Sequence, residues 1–523
     1  MKFYHFDFLF DIFSTRYLCF RESMIKKKYI RLIFGLKLKQ FRQEKNLLLS
    51  DLSQRSGLSI SYLNEIETGK KYPKEDKIAS LAEALGTSFD KLVSLKLVRN
   101  LAPIEELLES NILDQLPLDH YGININKLIS LMSNSSMQLS ALIATFIETA
   151  QSSELSQNIF SRNALRNFKE FNENYFDDIE AAAKEFRKKI KIKPVRRIKF
   201  QQLKSILEEE YNYEINESSL NEYAGLSELR AVVLNGKQNR LLLNANLSEA
   251  QKAFIAGKEL AYNFLGIKDR SLIYPGIKLN TFDHLLNYFR VSYFSTALLI
   301  NSDFLIQDLE KLFRLPAWDE DRLLTIISSF NSTTEMFFQR VANLAPKYFG
   351  LNKFFFFRLN HDMSTGTFSL SNELRLNTQR NFNELQPGEH YCRRWISFEI
   401  LNRMTAVIKK NKNFNERIAG VLHSKFFGSG DEYLSISVAQ RGTLFKNYLS
   451  SLTIGFQIDD TLLKKIKFLS DFKIQNKIVN DTCERCTITD CRERAAPPSY
   501  ATKIEHERKL EEALSELKEK MTK

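Results

Sequence analysis

FRQEKNLLLSDLSQRSGLSISYLNEIETGKK, residues Phe41 to Lys71, decides how the N-terminal part of this chain folds. Leu49 to Ser56 reads as a short helix with Leu52 facing inward. Gly57 stands at the following turn, where a residue without a Cβ meets little steric penalty. Ser59 is a natural N-cap for a second helix, because its hydroxyl can accept an orphan backbone N–H. Leu58, Leu63 and Ile66 recur at helical spacing and can pack on Leu52. Glu67, Gly69, Lys70 and Lys71 close the stretch. Upstream, Phe34 to Glu44 supplies a first helix with Leu38 and Phe41 on its apolar side. Downstream, Lys74 to Leu85 and Ser88 to Leu95 supply a fourth and a fifth.

This pattern resembles the five-helix, lambda-repressor-like helix-turn-helix of the Cro/repressor (XRE) kind. The resemblance implies that Ile60 to Thr68 lies in the DNA major groove. Its candidate DNA contacts are Ser59, Ile60, Ser61, Tyr62, Asn64 and Glu65, followed by Lys70 and Lys71. Ile60 suits a thymine methyl, Ser61 either base type, Asn64 adenine, and Glu65 the amino group of cytosine. The family often has Gln at the start of the first helix of the pair, and Leu49 stands there instead. The competing reading is an adaptor that keeps the bundle without reading DNA.

Charge agrees with a DNA-binding head. The chain has 75 Lys+Arg against 63 Asp+Glu, a net +12. Met24 to Arg99 holds 16 basic and 8 acidic residues, so +8 of that excess sits in this segment. A basic head on a nearly balanced remainder is the electrostatic footprint expected for DNA binding. At 523 residues the chain is expected to be multidomain and mainly α. Five cysteines do not make a disulfide framework, so a cytoplasmic location is expected. No Gly-rich phosphate loop is evident.

Residues 1–23 are aromatic but carry Asp7, Asp11 and Arg16, too short and charged for a membrane span. Met24, followed by a basic run, reads as an ordinary start, so residues 1–23 are given no role; an amphipathic anchor is the alternative. Residues 30–97 form the head, and 98–190 a helical connector with Ile125, Leu128, Ile129 and Met132 at helical spacing. The basic run Arg187 to Arg197 reads as a solvated domain boundary, with DNA phosphates as the alternative partner.

Asn244 to Ile267, NANLSEAQKAFIAGKELAYNFLGI, resembles the active helix of ImmA/IrrE-like zinc peptidases. Those carry H-E-x-x-H, two imidazoles one turn apart on one zinc with Glu as base. Lys258, Glu259 and Tyr262 occupy the matching positions, so both imidazoles are missing. Between Asp283 and Asp303 no carboxylate offers a third ligand, and His284 is the only candidate. Residues 191–305 are therefore expected to be a peptidase-like α/β domain without metal ligands, not an enzyme, whose cleft suits a small effector.

Residues 306–480 are expected to form a mixed α/β domain with an antiparallel sheet. Its strands are Lys353 to Leu359, Phe368 to Leu376, Tyr433 to Val438 and Leu449 to Ile458. Residues 481–500 hold Cys483, Cys486 and Cys491, and Cys392 lies about ninety residues upstream. Four thiols have the number for a zinc site, and the C-x2-C-x4-C spacing also suits an iron–sulfur or redox sensor. Apolar packing, unpaired surface thiols, or a contact surface beside Arg485 and Arg494 remain open. Residues 501–523 read as an amphipathic helix, with Leu510, Leu514, Leu517 and Met521 spaced like a coiled-coil seam.

The XRE-type head, the eroded peptidase helix and the C-x2-C-x4-C-x2-R-A-x-P-P ending together resemble the short-chain fatty acyl transcriptional regulator family. That resemblance implies a sequence-specific regulator of double-stranded DNA answering to a short-chain acyl-CoA or fatty-acid effector. A homodimer without membrane contact is expected, since paired heads read two half-sites. The rival is a regulatory protease.

Overall fold

The computed structural model describes residues 27–94, 96–97, 156–191, 195–268, 282–378, 388–442 and 447–522. The N-terminal extension, most of the helical connector with Ile125 to Met132, and residues 192–194 of the basic run lie outside them. The chain divides into two compact units, Met1–Leu165 with Lys278–Leu285, and Arg166–Ile277 with Leu286–Lys523.

In the first unit, five helices follow the sequence signals: α1 (Lys27–Glu44), α2 (Leu49–Ser56), α3 (Ile60–Glu67), α4 (Glu75–Leu85) and α5 (Phe89–Val93). Ser59 caps α3 by accepting from Tyr62 N at 3.3 Å, and Ser88 caps α5 by accepting from Lys91 N at 3.3 Å. Gly57 (φ +71°) ends α2 in the left-handed region, a conformation costly for residues with a Cβ. Phe34, Leu38, Leu52, Leu63, Ile66, Leu81 and Leu92 form one core. Each such side chain removed from water contributes about 1.5–3 kcal/mol. α1 starts seven residues before the expected Phe34. Its buried Lys37 explains part of that helix's role: the amine donates to the Lys91 carbonyl at 3.1 Å and to the Ser94 hydroxyl at 2.8 Å. A cation on these last carbonyls satisfies the end of α5.

The second unit is helical with two sheets. α6 (Ser156–Phe171) enters it, and α7 (Asp177–Lys189) and α8 (Phe200–Tyr211) follow. Next come β1 (Tyr213–Asn216), β2 (Ala231–Leu234) and β3 (Asn239–Leu243), in the order β1-β3-β2, with β1 parallel and β2 antiparallel to β3. α9 (Glu249–Phe264), α10 (Phe282–Leu299), α11 (Ser302–Phe313), α12 (Glu320–Ser329) and α13 (Thr334–Leu344) lead to the second sheet. That sheet holds β4 (Phe354–Asp362), β5 (Phe368–Leu376), β6 (Ile418–Phe426), β7 (Glu432–Arg441), β8 (Tyr448–Gln457) and β9 (Asn476–Val479). α14 (Ile396–Lys410) joins β5 to β6, α15 (Asp460–Lys465) follows β8, and α16 (Ser499–Thr522) ends the described chain.

The strand order is β5-β4-β8-β7-β6-β9, antiparallel except where β9 runs parallel to β6. Both faces are covered. Phe354 and Phe356 enter a large core that also holds α13, while Phe355 and Phe357 enter a smaller one beneath α14. This is why the Phe run does not alternate with polar residues. Phe355 lies over Gly455, where a Cβ would come within 2.2 Å of its ring. β6 and β9 carry no clear alternation and are additions to the strands expected from sequence.

A buried ionic network ties α7 to α10 and α13. Arg340, 1% exposed, forks onto both Glu180 oxygens and donates to the Ile300 carbonyl at 3.2 Å. Tyr293 donates to Glu180 at 2.8 Å. Within the basic run Lys188, Lys189 and Lys191 are exposed, whereas three arginines have protein partners. Arg187 is buried and donates to the carbonyls of Ala297 and Leu298, and Arg196 pairs with Asp308. Arg197 donates to the carbonyls of Ser328 and Ser329. Arg187 and Arg197 thereby satisfy helix-end carbonyls that would otherwise lack partners.

Candidate nucleic-acid interface and cysteine cavity

α3 turns Leu63 and Ile66 into the core, both fully buried, and leaves Ile60, Ser61 and Asn64 exposed. Its position is set by α1. At Gly35 a Cβ would sit 2.3 Å from the Ile66 carbonyl oxygen, so the two helices touch backbone to backbone. Arg42 of α1 forks onto Glu67 at 2.6 and 2.9 Å and also donates to the Leu47 carbonyl at 2.8 Å. Glu67 in turn raises the Arg42 guanidinium pKa by this hydrogen bond, outweighing burial. Glu67 is thus a buried clamp rather than a DNA contact.

Glu65, the expected acceptor for a cytosine amino group, has partners within the head. Lys71 pairs with it at 2.7 Å, and the backbone N–H groups of Lys70 and Lys71 donate to its carbonyl at 2.9 and 3.1 Å. Lys71 and Lys77 lie over the Tyr62 ring at 5.7 and 4.6 Å. Tyr62 therefore gathers two cations beside the exposed face of α3, a cation–π arrangement. Lys77 was not singled out from sequence, since its partner ring is fifteen positions away on another helix. The exposed face offers apolar, hydroxyl and amide groups flanked by positive charge, which suits base edges between phosphates.

α9 matches the expected helix, with Ser248 and Gln251 forming a reciprocal capping box. Glu259 is buried and accepts from Tyr213 on β1 at 3.1 Å. Lys258 lies over the Tyr288 ring at 4.6 Å, and Tyr262 is buried. Two cavities stand out in the second unit, and neither is lined by α9.

The first cavity is lined by Cys392, Cys483, Cys486 and Cys491 together with Arg393, Arg394 and Arg494. A single antiparallel bridge, Tyr391 to Thr482, brings the distant cysteine in. Cys392 N donates to the Asp481 carbonyl at 3.1 Å, and Cys483 N to the His390 carbonyl at 2.9 Å. Two contacts flank the bridge: a hydrogen bond between His390 Nδ1 and Glu484 at 2.8 Å, and an ion pair of Arg485 with Glu389 at 2.8 Å. Arg494 organises the loop, donating to the carbonyls of Cys483, Cys486 and Ile488. Backbone N–H groups of Asn480 and Ala495 point at the Cys392 and Cys483 sulfurs at 3.4 and 3.3 Å.

Burial pushes the Cys392 thiol up to about 11, so it is protonated near neutrality. The donor set has the chemistry for a thiolate-bound metal, but among the described residues no three His, Cys, Asp or Glu side chains are arranged to hold one. All four thiols nonetheless converge on one space, which the spacing alone did not fix.

A helix-turn-helix family model matches residues 38–92. The uncharacterized HTH-type transcriptional regulator y4dJ of Sinorhizobium fredii is 35% identical over 65 residues, 12% of this chain and 84% of that protein. A solved Mycobacterium tuberculosis transcriptional regulator is 15% identical, with a TM-score of 0.45, covering 65% of this chain and 94% of its own. No helix among the described residues is long and apolar enough to cross a membrane. With the clamped bundle, the family model over residues 38–92 and the y4dJ match in hand, the chain belongs to the XRE-type helix-turn-helix transcriptional regulators and is a DNA-binding protein.

Proposed function

We propose that this regulator is a cytoplasmic homodimer that reads a specific operator and answers to a small effector bound by its C-terminal unit. The exposed α3 face of Ile60, Ser61 and Asn64, flanked by Lys70 and Lys71, carries the reading. The effector class, short-chain acyl-CoA or fatty acid, rests on the family resemblance of the chain as a whole. Response requires that the effector bind the DNA-competent and incompetent states unequally. α9 is read as a non-catalytic remnant, since Lys258 and Tyr262 supply no pair of imidazoles.

The test is fluorescence anisotropy on the chain's own promoter DNA and on random duplex at one stated salt concentration, with and without short-chain acyl-CoAs. Specific binding that one acyl-CoA shifts supports the whole reading. Specific binding without a shift removes the acyl-CoA, and equal binding to random DNA removes operator reading. Asn64→Ala is expected to cost about 1–3 kcal/mol on the specific site and to relax one base position. Lys70→Ala is expected to weaken all sequences alike and lower the salt slope by about one.

The cysteine cavity is read as a sensory site. Cys483→Ser with Cys486→Ser should leave operator binding intact but abolish the effector or redox response. An unchanged response in this folded double variant would remove the cysteines from sensing.

A further inference from the structure

α16 runs from Ser499 to Thr522, and its side chains from Thr502 to Lys518 are exposed. Leu510, Leu514 and Leu517 are 51, 56 and 53% exposed and lie along one stripe at four- and three-residue spacing. The opposite face is laced by its own ion pairs: Arg508 with Glu505 and Glu512, and Lys509 with Glu505. Most of the stability of a helix in a protein comes from packing its apolar stripe rather than from propensity. Here the stripe is left open.

We propose that α16 pairs antiparallel with α16 of a second copy of this chain, a surface that rests on the homodimer reading above and names its location. Charge decides both occupant and direction. Glu511 and Lys518 flank the stripe on the same side, seven residues apart. When two copies run antiparallel with Leu514 against Leu517, Glu511 of each faces Lys518 of the other, giving two opposite-charge contacts. A parallel, in-register pair would instead stack Glu507 on Glu507 and Lys503 on Lys503 within the seam, where like charges repel. The stripe spans only about two heptads, so it adds to association rather than making a long coiled coil.

Sedimentation equilibrium of the full chain without DNA tests this, so the result does not depend on operator reading. The wild type should be a dimer. Leu514→Glu with Leu517→Glu should weaken the dimer by at least about tenfold while leaving the melting of the second unit unchanged, because both side chains are exposed. Glu511→Lys alone and Lys518→Glu alone should each weaken it, and the two together should restore it. A monomeric wild type would overturn the proposal. So would a dimer indifferent to the leucine variants, which would lie elsewhere. Failure of the charge-reversed double variant to recover would overturn the antiparallel pairing.

Discussion

Replacing Arg340 by alanine is expected to destabilise the second unit by about 3–5 kcal/mol, read from urea unfolding followed by tryptophan fluorescence. Arg340 is 1% exposed and holds both oxygens of Glu180, itself buried. Truncation leaves a carboxylate in the core that keeps its hydrogen bond from Tyr293 but loses its guanidinium partner. Most of the cost is that unpaired charge and not the lost attraction. Changing both partners to apolar residues of similar size, Glu180→Leu with Arg340→Met, should therefore recover much of the loss. If the single variant unfolds like the wild type, the network does not hold this unit together.

The same network predicts an acid dependence. Burial alone would raise the Glu180 pKa, but the Arg340 charge and the bonds from Arg340 and Tyr293 outweigh it, and the net shift is downward. A carboxylate with a depressed folded pKa contributes stability above its unfolded value of about 4.3 and loses it as pH falls through the folded value. The wild type should lose this contribution in acid, and Arg340→Ala should lack it already at neutral pH.

Replacing Arg42 by alanine should melt the head selectively. Arg42 and Glu67 have side chains 12 and 6% exposed, and their fork fixes α1 against the end of α3. Leaving Glu67 buried without its partner should cost about 3 kcal/mol, a large share of what a five-helix head of this size can hold. Operator binding should fall with the folded fraction of the head, while the second unit unfolds at an unchanged midpoint. Circular dichroism with anisotropy on promoter DNA separates these results. Intact binding at full helicity would show that α3 is held by the hydrophobic contacts alone.

The head was legible because its signals are local. Ser59 and Ser88 as caps, Gly57 as a left-handed stop, and Leu52, Leu63 and Ile66 at helical spacing all act within a few residues of each other. The buried strand Phe354–Asp362 was legible from its apolar run, whereas β6 and β9 were not, since neither alternates and their pairing depends on the sheet around them. Side-chain partners from another helix were not legible, as when Lys77 of α4 lies over the Tyr62 ring of α3.

By itself the sequence determined the head, the capped α9 helix without its imidazoles, the strands of the Phe run, and the amphipathic stripe of the last helix. Periodicity, capping chemistry and residue identity are properties of neighbouring positions, so they survive without a three-dimensional frame. The tertiary structure decided what joins across long stretches of chain. Arg340 meets Glu180 over 160 residues, the bridge of Tyr391 with Thr482 brings Cys392 to the three later cysteines, and Arg187 of α7 reaches the carbonyls at the end of α10. Such contacts close long loops, and only the packed core fixes which ends meet.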